Sequence, residues 1–174
     1  MYSKLKKMRF KALLVKTLIC GLFLFLGTTS AISLYSYNQF DPSVFSVNEE
    51  VPTNILGIYG ANLSAILLFI FGDASSLIPI FITALIRTTI VNVYNILKIF
   101  LRFIAVIFFT FMISISFSHL GFNSGILGKA VLANLAPYLY EYREYESLIL
   151  YLNIILFSVL SLIVVSKNNN EIFL

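Results

Sequence analysis

Apolar residues run almost unbroken through 17–37, 74–97, 103–119 and 148–166, and the first, third and fourth of these runs hold no Asp, Glu, Lys or Arg. Each is close to the roughly 20 residues a helix needs to cross a hydrocarbon core about 30 Å thick, so each predicts a transmembrane helix. The second run contains Arg87, and at 1.5 Å per residue it would extend about 36 Å. Between the first two runs, the stretch Asn38–Asn54 gathers Asp41, Pro42, Glu49, Glu50 and Pro52. Asn, Asp and Pro favour turns and deny a continuous helix, which predicts a loop.

Two further helices are predicted outside the spans. Over 54–71, Gly57, Ala61 and Ala65 recur at intervals of four, with Gly60 and Ser64 beside them. Such a stripe of small residues lets membrane helices approach closely. The helix is expected to end at Gly72-Asp73, where Gly72 can adopt a left-handed C-terminal conformation and Asp73 can cap the returning helix. Pro79 is tolerated in the first turns of that helix. Over 125–140 a weaker copy follows. There Ile126-Leu127-Gly128 resembles Ile55-Leu56-Gly57, and Ala133-Asn134-Leu135 resembles Ala61-Asn62-Leu63 after a slip of one residue. Tyr138, Tyr140, Tyr142 and Tyr145 fit an interfacial aromatic belt.

Charge orients these elements. Lys4, Lys6, Lys7, Arg9, Lys11 and Lys16 precede the first span, Arg87, Lys98 and Arg102 bracket the turn between the second and third, and Lys167 follows the last. Only Lys129 and Arg143 fall on the opposite side. The positive-inside rule therefore places segment 1–16, the central turn and tail 167–174 in the cytoplasm. If 54–71 also crossed, Lys98 and Arg102 would lie outside, so it is expected as an outer-leaflet or re-entrant helix. The expected fold is an all-α membrane protein of four transmembrane helices, with an additional outer helix before span 2 and a weaker one before span 4. A basic start followed by small residues at Ser30-Ala31 also fits a signal peptide. The apolar run continues to Tyr35 and Tyr37, however, and three more runs follow, which favours an uncleaved anchor.

Composition agrees: 59% of residues are hydrophobic and 11% charged, against about 25% charged in an average soluble domain, and the mean hydropathy is +0.93. The net charge of +4 is accounted for by topology rather than by nucleic acid. Catalysis needs convergent acid, base or nucleophilic groups, and here there are one His and one Cys. His119 reads as a polar helix end, and Cys20 has no intrachain partner. No metal-ligand spacing is present. The stretch Gly125–Ala130 approaches a phosphate loop, but Asn123 stands where its first Gly is required and Ala130 replaces the Mg-binding hydroxyl. No enzymatic activity, cofactor or metal is expected.

Ser36, Tyr37, Asn38, Asp41, Pro42 and Ser43, then Asn54, Gly57, Gly60, Ala61, Ser64 and Ala65, then Phe71 and Gly72 together resemble the N-terminal four-span membrane domain of the FtsK/SpoIIIE DNA translocases. In that family the first span ends in a Ser-Tyr-Asn, Asp-Pro-Ser type loop, and an Asn-x-x-Gly-x-x-Gly-Ala-x-x-(Ala/Ser) stretch leads to a Phe-Gly break. The resemblance covers nearly the whole chain in layout, is specific from Leu34 to Arg87, and is looser at Gly125–Gly128. The family's linker, RecA-like motor and winged DNA-reading domain are not found in this sequence. What the resemblance implies is anchoring in the bacterial inner membrane with both termini cytoplasmic, and a role in cell division and chromosome segregation. It also implies homo-oligomeric assembly with division-septum proteins and a separate motor subunit, without direct nucleic-acid contact. A small transporter or channel is the alternative, because a helix broken beside Asp73 can also expose backbone and charge near the bilayer midplane. A non-functional remnant of a translocase is another.

Overall fold

The computed structural model describes residues 2–46, 50–91, 96–119, 121–139 and 145–166. Glu49, Tyr140, Tyr142, Arg143 and the tail 167–174 lie outside the described residues, as do the side chains of Lys98 and His119. The helices are α1 (Tyr2–Tyr35), α2 (Gly57–Phe71), α3 (Leu77–Val91), α4 (Ile96–His119), α5 (Gly125–Leu139) and α6 (Glu146–Ser166), with a 3-10 turn over Gly72–Ser76 joining α2 to α3. The protein is an all-α membrane protein. Among the described residues the only β pairing is an isolated bridge between Ser43 and Ser46.

Long helix, short helix, returning helix: this order occurs twice. α1 packs on α3 and α4 on α6, α3 joins α4, and the two short helices α2 and α5 meet each other. The core where α1, α3 and α4 converge is Phe23, Phe81, Ile82, Leu85, Ile99 and Val106, and the rings of Phe23 and Phe103 stack at 6.1 Å. Large apolar side chains such as Phe25, Phe108, Leu152 and Ile155 face outward, as lipid permits and water does not. Ser30, Ser64, Thr89 and Thr110 are buried, and each hydroxyl donates to a carbonyl of the preceding turn of its own helix. These four polar side chains thus enter an apolar bundle without needing water.

Three stretches are long and apolar enough to cross a membrane among the described residues: Leu13–Tyr35, Ile99–Phe117, and Gly57–Arg87 if α2, the 3-10 turn and α3 are taken together. Leu148–Leu160 is a shorter apolar helix. The basic segment that the sequence sets apart as 1–16 is the first half of α1. Helix boundaries also move around the second turn. The sequence predicts one helix to about Leu97 and the next from Phe103, but α3 ends at Val91 and α4 begins at Ile96. Lys98 and Arg102 therefore belong to the opening turns of α4, and Arg102 is 9% exposed rather than bracketing an open turn. The overlooked signal is Asn92 and Asn95, turn-favouring residues that sit between the two helices in the sequence.

Candidate functional site

The first junction is a knot of polar groups around Asp41 and Asn54. Both are buried. The Asp41 carboxylate accepts from the Thr53 amide at 2.8 Å, the Thr53 hydroxyl at 2.8 Å and the Asn54 amide at 2.9 Å. Burial pushes the Asp41 carboxyl up, yet the hydrogen bonds from the Thr53 backbone, the Thr53 side chain and the Asn54 backbone together hold it below its ordinary value. Asn54 in turn donates through Nδ2 to the carbonyls of Ser33 at 2.9 Å and Ser36 at 3.1 Å. Those are carbonyls at the C-terminal end of α1, which has no intrahelical donors left for them. The other end of the same amide, Oδ1, accepts from the Leu56 amide at 3.1 Å. One side chain thus closes α1 and opens α2.

The remaining loop residues singled out by sequence take supporting places. The Ser36 hydroxyl accepts from the Ile55 amide, Asn38 donates to the Thr53 hydroxyl and accepts from the Phe40 amide, and Ser43 exchanges backbone bonds with Ser46. Tyr37 is exposed and Pro42 half-buried. The loop then lies along α2, because the Val44 amide donates to Asn62 Oδ1 at 2.8 Å and the Phe45 ring stacks on Phe69 at 4.3 Å.

The small-residue stripe divides. Gly60, Ala61, Ser64 and Ala65 are buried on a helix that lies against α1, α5 and the 3-10 turn. A Cβ on Gly60 would overlap Asn54 Oδ1 and come within 2.7 Å of Leu56 Cβ. Gly57 does not share in this packing: nothing lies within 4 Å of where its Cβ would be, and its φ is +61°. Its place is the conformation that starts α2, not a close-approach face.

The break at Gly72-Asp73 is built differently from a self-capped helix start. Instead of capping its own helix, Asp73 accepts through Oδ2 from the Asn123 amide at 2.9 Å, while its own amide donates to the Asn123 carbonyl at 2.7 Å. This reciprocal pair ties the end of α2 to the start of α5. The two chains cross so closely that only glycine fits on either side. A Cβ on Gly72 would overlap the Asn123 carbonyl, and a Cβ on Gly125 would come within 2.5 Å of the Ile70 carbonyl and 2.6 Å of the Gly72 nitrogen. Both glycines also have positive φ, +60° and +62°, which L side chains avoid. Ser114 completes the second junction by donating to the Ser124 carbonyl at 2.5 Å.

The crossing also resets the register of the internal repeat. The helices begin at Gly57 and Gly125, both with positive φ, so the equivalent tetrapeptides are Gly57-Ile58-Tyr59-Gly60 and Gly125-Ile126-Leu127-Gly128. In each case an upstream asparagine, Asn54 or Asn123, accepts through Oδ1 from the amide two residues on. Matching Ile55-Leu56-Gly57 to Ile126-Leu127-Gly128 is therefore out by about one helical turn. Asn62 and Asn134 are not counterparts either: Asn62 holds the loop, while Asn134 donates to the Ala130 carbonyl of its own helix. Asn123, Ser114 and Ser124 are site residues that sequence reasoning missed, and Gly125 and Gly128 were singled out without their place at the crossing. Their signal was the G-I-x-G repeat read three residues earlier.

Among the described residues no group of His, Cys, Asp and Glu could hold a metal ion. The arrangement joins backbone to backbone directly and through the side chains of Asp41, Asn54 and Asp73. The family described as the 4TM region of DNA translocase FtsK/SpoIIIE matches residues 13–168. Over 55 residues the chain is 47% identical to the DNA translocase FtsK of Rickettsia prowazekii (strain Madrid E) and 46% identical to that of Rickettsia typhi (strain ATCC VR-144 / Wilmington). That stretch is 32% of this chain and 7% of the length of each relative. No solved structure matches the chain. Because the match takes in both junctions, α1 from Leu13 onward and α2 to α6, the chain belongs to the 4TM-region family of the FtsK/SpoIIIE DNA translocases.

Proposed function

We propose that the chain is the non-catalytic membrane anchor and assembly unit of an FtsK-like DNA translocase, acting in cell division and chromosome segregation at the bacterial inner membrane. The observation that carries this reading is the reciprocal Asp73–Asn123 tie. It fixes one helical hairpin to the other, which suits a rigid mount for a motor. A carrier with a broken helix keeps charge and free carbonyls open to a path, whereas the Asp73 carboxylate here is engaged by the backbone of the other hairpin. The motor and its DNA contacts are assigned to a separate subunit or segment.

The topology that accompanies this reading has four spans with both termini cytoplasmic, and α2 and α5 at the outer surface. Taken as one straight pass, 57–87 would extend about 46 Å, well beyond a core of about 30 Å. Moreover, non-helical backbone of the loop lies along α2, and lipid-exposed irregular backbone is not tolerated within the hydrocarbon region. The small-residue face of α2 is used within the chain, so contacts with further copies or septal proteins are assigned to other surfaces.

The test is a fusion of this chain to a translocase motor whose own membrane region has been deleted, expressed in dividing cells. Septal localisation and restored chromosome segregation are expected. Diffuse membrane localisation with unrestored segregation would overturn the proposal. Reporters placed after Glu50 and after Leu139 should report the outer side, and one after Val91 the cytoplasm.

A further inference from the structure

Beneath α2 lies a cavity of about 240 Å³, lined by α1, α2, α3 and α4 and open on one side. Its lining runs from Leu26 to Ser30 on α1, from Ile78 to Ile82 on α3 and from Phe103 to Ile107 on α4. Each interval is four residues, about one helical turn. Leu63, Leu67 and Phe71 of α2 form the roof. Phe71 is 9% exposed and Val106 1%, whereas Ile107 is 44% exposed, so the slot opens to the surroundings past Ile107.

The chemistry of the lining selects what can enter. Its only polar side chains are Thr29 and Ser30, and both hydroxyls donate to α1 carbonyls, Thr29 to Phe25 at 2.7 Å and Ser30 to Leu26 at 2.7 Å. A water needs two to four polar partners, and an apolar cavity of roughly 150 Å³ stays dry and accepts benzene. A helix of a second copy, about 10–12 Å across with its side chains, is too bulky for a cavity of about 240 Å³. An alkyl chain, whose carbons pack at about 3.5–4.0 Å from their neighbours, is not. We propose that the slot is an acyl-chain site: the tail of a bilayer phospholipid enters past Ile107 and completes the seat on which Leu67 and Phe71 of α2 rest. The site serves the docking of the outer helix and does not depend on the translocase assignment.

The unsubstituted chain in liposomes tests it. A phospholipid with a diazirine in its acyl tail is irradiated in the bilayer, and the modified residues are mapped by peptide mass spectrometry. Phe71 and Val106, both shielded from bulk lipid, should be labelled at a level comparable to outward-facing Phe25 and Phe108. Phe81 and Leu85, equally buried but away from the slot, should stay unlabelled. Leu67→Trp, which fills the roof, should reduce the label at Val106 to the level of Phe81 while leaving Phe25 unchanged. Label confined to outward-facing residues in the unsubstituted chain would overturn the proposal, whether the slot is then dry or filled by a side chain of a second copy.

Discussion

In the first half of the chain α1 passes to α2 through residues 36–56, and carbonyls near its C-terminus are taken by the side chain of Asn54, 18 and 21 residues away. In the second half α4 passes to α5 within the few residues between His119 and Gly125. There Gly121 has φ +79° and the Phe122 amide donates to the Phe117 carbonyl at 3.1 Å, the local closure of a Schellman motif. Both short helices then start at a glycine of positive φ within a G-I-x-G sequence. The difference extends to burial. α2 buries Gly60, Ala61, Ser64 and Ala65, whereas on the described part of α5 only Gly125 and Gly128 are buried. Equal starts have thus been put to unequal use: α2 presses its small-residue face against the bundle beneath a loop, and α5 rides on the surface. What the two share is the crossing at which Gly72 and Gly125 touch.

The largest effects are expected at that crossing. Gly72→Ala or Gly125→Ala forces a Cβ into backbone atoms of the other hairpin and adds the conformational cost of a positive φ, which at Gly72, with φ 60° and ψ −144°, falls where essentially only glycine goes and is about 1–3 kcal/mol. Each should lower the thermal unfolding midpoint in detergent sharply or prevent folding. Gly57→Ala has the same sign of φ but open space around it, so it should cost only about the 1–2 kcal/mol of conformational strain. If Gly125→Ala proved no worse than Gly57→Ala, the two hairpins would not be in the contact described here.

Next comes the contrast between the two short helices. Ala61 is 2% exposed, so Ala61→Leu overpacks α2 and should destabilise by about 1–3 kcal/mol. Ala133→Leu on exposed α5 should stay within about 0.5 kcal/mol, as should Ile58→Leu on the outward face of α2. Chemical unfolding of purified protein in detergent measures all three. Equal effects at 61 and 133 would erase the distinction between a helix pressed against the bundle and a surface one.

What was legible in the sequence is local. Apolar runs of bilayer length, the acidic Pro-bearing loop, the small residues of α2 and the break at Gly72 follow from period, turn chemistry and charge, each read within a window of some twenty residues. The family resemblance likewise lay in the Ser36–Gly72 stretch. What was not legible is pairing across distance. The partner of Asp73 is 50 residues away, and a carboxylate just ahead of a helix looks the same in sequence whether it caps that helix or a different one. The repeat was visible but slipped by three residues, because Ile-Leu-Gly matches by identity while the backbone matches by the glycine that starts each helix. Gly57 was taken for packing because spacing alone does not separate a residue chosen for its small size from one chosen for its φ.

Asp41 provides a comparison that pH can sharpen. Its folded-state carboxyl is held below the ordinary value of 3.8, so ionisation favours the folded form. That stability is fully present above the ordinary value and is lost as pH falls through the lowered one, below about pH 4. Asp41→Asn removes the charge from an acceptor of three hydrogen bonds and should destabilise by about 1–3 kcal/mol at neutral pH. Unfolding curves of the two proteins should converge as the pH drops below about 4. A constant gap across that window would mean that the clamp on Thr53 and Asn54 does not depend on the Asp41 charge.

A smaller effect than at Asp41 is expected at Asp73. Asp73 is only half-buried, and its side chain accepts one hydrogen bond, from the Asn123 amide. The second bond of the pair uses its backbone and survives any substitution that keeps the turn. In Asp73→Asn the amide oxygen can still accept from Asn123, and what is lost is the difference between a charged and a neutral acceptor, about 1 kcal/mol or less. Asp73→Leu removes the acceptor of the Asn123 N–H and should cost more, about 0.5–1.5 kcal/mol, because this bond is exposed and water can take the acceptor's place. A double-substitution cycle with Asn123 is uninformative here because Asn123 contributes through its backbone, so the measurement is amide hydrogen exchange at Asn123. Protection should persist in Asp73→Asn and fall in Asp73→Leu. Equal protection in both would assign the tie to the backbone bond alone and reduce Asp73 to a residue any turn former could replace.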